Sequence, residues 1–225
     1  MFGLFRPKEK NQKDAKRIAQ FWKWFEANQE AIFQIESPCD NHLERLFQQL
    51  DKVDRNLTLE LSLKKEAPKE LILSAGGIKT YFPLIEKLVD AAPTMPNWQV
   101  IAFKPRRALD GLVYPGADRL PLNAIWYQLD TSQNPFGLNL YIAGHQPESL
   151  SVHAQICFFI LDNLIGEFQV AHHLGEIDFI GLPEEESERE QLIQQEGLKP
   201  LAGFAQHFDE ALAQSDGLPS GQSLV

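Results

Sequence analysis

Two glycines behind an apolar run offer the first chemistry in this sequence. Leu73-Ser74-Ala75-Gly76-Gly77 closes an extended pattern, and Thr80 stands where a helical pattern opens. Glycines in such a place let backbone N–H groups approach a phosphate or carboxylate at a helix N-terminus. The Lys-Ser/Thr of a P-loop and the third glycine of a dinucleotide fingerprint are missing, so a tight strand-to-helix turn accounts for the same residues. Lys104, Arg106 and Arg107 follow the next extended run. If the two runs are parallel strands, their carboxyl ends share one edge of the sheet, where open α/β sheets bind ligands. Gly76, Gly77, Thr80, Lys104, Arg106 and Arg107 are therefore the candidate anion site, with solvated loop charge as the plain alternative.

Other reactive side chains are less organised. His145, His153, His172 and His173 lie near Glu167, Glu176 and Asp178 in sequence, but no pair has the i, i+4 spacing of a helical metal motif. Read as strand residues, His172 and His173 point to opposite faces. Cys157 sits in an apolar helical run, where burial raises a thiol's pKa and makes it a poor nucleophile. No serine occupies a Gly-x-Ser-x-Gly elbow. No metal, cofactor or catalytic residue is expected. Among Phe21, Trp22, Trp24 and Phe25, Trp24 falls about 100–200° round a helix from its neighbours. It is thus the candidate anchor for a partner.

The element that must hold much of this in place is the run 148–166. Pro147 suits a first turn and Gly166 a stop, and apolar residues between them occupy two faces, so the helix is expected to be buried on most sides. His153, Gln155, Asp162 and Asn163 interrupt it too early for a membrane span. Upstream, Ile18, Phe21, Trp22, Phe25 and Ile32 predict one amphipathic helix, and Leu43, Leu46, Phe47, Leu50 and Val53 a second. Strands are expected over 57–63, 70–75, 98–103, 122–129 and 137–143, with a helix capped by Thr80 over 80–92. A closing hairpin over 168–172 and 177–180, turned at Leu174-Gly175, precedes two helices over 184–195 and 201–213. The order strand, strand, helix, strand recurs, which suggests duplicated ββαβ units without visible sequence repetition.

Charge narrows the setting. Among 225 residues the net charge is −10, yet up to Lys23 seven basic residues face two acidic ones. The acidic balance argues against nonspecific nucleic-acid binding. Phe2, Leu4 and Phe5 beside Arg6 and Lys8 are too little for stable membrane anchoring. The opening residues lack a secretory pattern, and two cysteines make no disulfide framework, so a cytoplasmic setting is expected.

Phe21-Trp22-Lys23-Trp24-Phe25, the Leu73–Gly77 run, Ala91-Ala92-Pro93, 98–103 and 161–167 together resemble a group of uncharacterised bacterial intracellular proteins, over roughly residues 17–181. The resemblance implies a bacterial intracellular origin and brings no activity with it. The expectation is an α+β fold: a mixed β-sheet covered by helices, an N-terminal helical pair and one buried central helix. It comprises a tail over 1–10, a single domain over 11–213 (11–54 helical pair, 55–181 sheet and helices, 182–213 C-terminal helices) and a tail over 214–225. The expected function is binding or adaptor work on an unidentified protein partner. The alternative is an enzyme or sensor for a small anionic ligand, phosphate or carboxylate, at the glycine turn.

Overall fold

The helical spacing of Ile18, Phe21, Trp22, Phe25 and Ile32 is realised in the computed structural model, where all five are buried on α1 (Pro7–Phe33). The structure describes residues 7–37, 39–63, 65–108 and 120–216. Residues 7–10 extend the helix instead of the tail expected over 1–10, and 1–6 lie outside the described residues. Where the sequence suggested one domain over 11–213, the chain forms two compact units, Met1–Lys104 and Pro105–Val225.

In the first unit α1 pairs with α2 (Asn41–Val53), which buries Leu46, Leu50 and Val53. Asp40 caps α2 by accepting the His42 N–H at 2.7 Å. The sheet runs β1-β2-β3: β1 (Thr58–Leu61) lies antiparallel to β2 (Lys69–Ser74), and β2 parallel to β3 (Trp98–Ala102). Between β2 and β3 runs α3 (Phe82–Asp90), burying Phe82, Ile85 and Leu88. The buried Trp22 donates its indole N–H to Leu88 O at 2.8 Å, fastening α1 to α3.

The second unit repeats the order. β4 (Ile125–Asp130) and β5 (Phe136–Ala143) are antiparallel, α4 (Leu150–Ile165) and α5 (Glu167–His173) follow, and β6 (Leu174–Leu182) returns parallel to β5. Then come α6 (Glu186–Gln195), the two-residue β7 (Lys199–Pro200) and α7 (Phe204–Asp216). The sheet order is β6-β5-β4-β7. Ile125, Tyr127, Leu138, Leu140 and Ile142 face the core with Ile156, Ile160 and Leu161 of α4 and Phe204 and Phe208 of α7. On the outer face Tyr141 and Leu182 join Leu198, with Leu192 and Ile193 of α6 packed against them. Both units are therefore α+β with a mixed sheet, and both run strand, strand, helical crossover, strand, the second with two helices in the crossover.

Three expectations change. The hairpin over 168–180 is replaced by α5 and one long strand. Gly166, at φ +89°, stops α4, the chain bends by 105°, and a helix restarts at Glu167, whose carboxylate suits a first turn. Five residues of mixed polarity were too short to tell strand from helix by period. The central helix is also less enclosed than its composition suggested, with Leu150 (46%), Val152 (40%) and Phe158 (42%) exposed. The last helix runs on to Asp216, into the tail expected over 214–225, of which 217–225 lie outside the described residues. No single helix among the described residues is long and apolar enough to cross a membrane.

Candidate functional site

β2 and β3 are parallel, so the glycine turn and Lys104 both follow the carboxyl ends of neighbouring strands. Gly76 (φ +57°) and Gly77 (φ +78°) adopt left-handed backbone that only glycine takes without cost. The turn spends some of its donors on itself. Gly76 N–H donates to the buried Ser74 Oγ at 3.0 Å, and Ile78 N–H to Ala75 O at 3.1 Å. Thr80 is not the helix cap. It lies exposed in a 3₁₀ turn over Lys79–Tyr81, and the position before α3 is Tyr81, with no side-chain bond. Lys104 Nζ stands 3.7 Å from the Glu60 carboxylate of β1.

Arg106 and Arg107 belong to the second unit. The Arg106 guanidinium forks onto Asp209 of α7, with bonds of 2.7 and 2.8 Å. This bond holds the Asp209 carboxyl below the usual carboxylate range and lifts Arg106. Arg107 donates its backbone N–H to Asn163 O at 2.7 Å. Trp24, the candidate anchor, is half-buried on α1, and its carbonyl accepts the Asn28 amide at 2.7 Å.

A cleft in the first unit escaped the sequence reading. Gln29, Glu30 and Phe33 from the last turns of α1, Gln34 just beyond it, and Pro96, Asn97 and Trp98 leading into β3 line a cleft of about 520 Å³. Its aromatic wall is Phe33 against Trp98, edge to face at 5.9 Å. Behind it lies Lys69, only 1% exposed, its ammonium 4.8 Å from the Phe33 ring centre and donating to Ile35 O at 3.2 Å. A cation there meets a carbonyl just past the C-terminus of α1, where the macrodipole favours positive charge. Burial pulls the Lys69 ammonium below its ordinary pKa, with Glu36 pulling the other way.

Two titratable groupings in the second unit also went unseen. His145 Nδ1 lies 2.9 Å from His153 Nδ1, and Ser149 Oγ 3.3 Å from the latter. Ser149 gives its proton to Gln146 O, which leaves His153 Nδ1–H to donate within this grouping. Burial and the neighbouring His145 hold His153 below the usual imidazole range. Farther on, His207 of α7 bridges Tyr127 Oη (3.0 Å, at Nδ1) and Lys199 Nζ (3.3 Å, at Nε2). Because an ammonium only donates, Nε2 accepts and Nδ1–H donates to Tyr127. Burial and Lys199 lower His207, against Glu210, and burial pushes the Tyr127 phenol up to about 12.

Burial pushes the Cys157 thiol up to about 12, and Cys157 and the exposed Cys39 are both free. His172 and His173 stand in the last turn of α5, not on a strand, and the His172 ring stacks on Phe168 at 4.1 Å. Among the described residues no three metal-ligating side chains gather. No family model, curated protein or solved structure matches the chain.

Proposed function

We propose that this chain is a non-catalytic binding protein whose first unit receives a basic side chain from a segment of a partner protein. The supporting observation is the cleft between α1 and β3. Its volume of about 520 Å³ falls in the range of ligand pockets, roughly 300–1,000 Å³. The polar lining is Gln29, Gln34 and Asn97, carboxamides that orient a ligand but neither attack nor exchange protons at neutral pH. Glu30 supplies the single charge, and the half-buried Phe33, with the rim of the buried Trp98, supplies apolar surface along which an aliphatic stem can lie. The first unit carries 16 basic and 14 acidic residues, so the preference for a basic group rests on Glu30 locally and not on net charge. Two free thiols and the resemblance to bacterial intracellular proteins fit a bacterial cytoplasmic setting. Calorimetric titration with a blocked arginine tripeptide tests the reading. Saturable binding is expected, weakened about fivefold by Glu30→Gln, the effect of an exposed ion pair of up to ~1 kcal/mol. Equal affinity of the variant would contradict it.

A second reading rests on the parallel pairing of β2 with β3. A small phosphate or carboxylate ligand at the Gly76-Gly77 turn would meet Lys104 from the next strand. Shifts of the Gly76 and Gly77 amides on titration with inorganic phosphate are its test, and unmoved amides would reject it.

A further inference from the structure

The two edges of the second sheet are built differently. β7 is two residues long, Lys199 and Pro200, a short strand carrying a lysine and a proline, as natural sheets guard an edge. β6, at the opposite edge, is nine residues long and contains neither. It pairs with β5 along one side. Among the described residues no backbone hydrogen bond reaches its other side. In a parallel ladder alternate residues turn both backbone groups toward the partner, so about half of β6 offers unpaired donors and acceptors outward. Unpaired edge groups are a template for another strand.

The side chains beside this edge state what the incoming strand must carry. Glu176 and Asp178 are exposed on one face of β6. There a groove of about 110 Å³ runs on across the sheet past Asn139 to Asp130. On the other face Ile177 and Phe179 are half-buried, and the exposed Phe158 ring of α4 stands 6.4 Å from that of Phe179. A strand laid along the edge places alternate side chains on these two faces. We propose that β6 is a docking edge for an extended segment of a partner protein, with lysine or arginine alternating with apolar residues. The occupant is not a second copy of this chain. Leu174-Gly175 and Gly181-Leu182 are mirror-related in sequence, but a two-fold antiparallel pairing that matches them sets Asp178 against its own counterpart. Like charges directly opposite destabilise a strand pair.

The probe is a blocked octapeptide of alternating lysine and valine, titrated into the full chain while backbone amides are followed by NMR and hydrogen exchange. Amides within 174–182 should shift and gain protection. A glutamate–valine octapeptide should leave them unmoved, and Asp178→Lys should weaken binding about tenfold with the rest of the spectrum unchanged. Glu176→Lys serves the same purpose if Asp178→Lys does not fold. No binding, binding that leaves 174–182 unmoved, or equal binding of the acidic peptide would overturn the proposal. So would a concentration-dependent dimer whose β6 amides are already protected, since a second copy would then hold the edge.

Discussion

Lys69 begins β2 with its ammonium buried against a carbonyl and an aromatic ring, which is an unusual place for a lysine. An apolar side chain of similar shape removes the desolvation cost but leaves Ile35 O without its donor. Lys69→Met should therefore change stability by no more than about 1 kcal/mol, whereas Lys69→Ala adds a cavity and should cost more. Chemical denaturation of both variants checks the ordering. The histidines make a prediction about pH. His153 and His207 bind their protons less readily in the folded chain than at the ordinary imidazole value of 6.5. The unfolded state then holds more protons between the lowered folded values and about 6.5, so stability rises with pH through that window and levels above it. The urea midpoint should fall as pH drops from about 7 toward 5, and a His153→Asn, His207→Asn variant should flatten the slope. The burial that raises the Cys157 thiol was legible from its apolar neighbours. The histidine groupings were not, because His145 meets His153 only after a loop folds back, and Tyr127, Lys199 and His207 come from β4, β7 and α7.

At the scale of elements the hydrophobic period carried most of the reading. It located the helical pair, the central helix and the strands of the two ββαβ units within a few residues, β6 through its 177–180 part. It failed where segments were short or where coverage depended on tertiary packing. α4 shows the second failure: Leu161 is fully buried, Phe159 half-buried and Phe158 exposed, though composition alone treats them alike. Leu161→Ala should cost about 2–5 kcal/mol, and Phe158→Ala less than about 1. Similar costs in denaturant unfolding would show that the helix face is misassigned. Gly166 separates α4 from α5 at φ +89°. Gly166→Ala should cost about 1–2 kcal/mol, because a Cβ disfavours that backbone.

For the whole molecule, the two units share an order of elements but expose different surfaces. The first offers a solvent-open cleft of carboxamides and aromatic rings, and the second an acidic strand edge. The sequence suggested the glycine turn because glycine patterns are local. The cleft was invisible because its walls, 29–34 and 96–98, are more than sixty residues apart and meet only when β3 lies beside α1. Arg106, expected at the anion site, engages Asp209 instead; both side chains are part-exposed, so Arg106→Ala should cost less than about 1 kcal/mol. The most direct measurement is an amide and side-chain NMR titration of the full chain with the blocked arginine tripeptide. Binding at the cleft requires shifts concentrated at residues 29–34 and 97–98, including the Gln29, Gln34 and Asn97 carboxamide protons. Binding whose shifts fall elsewhere, or no shifts at millimolar peptide, would contradict it.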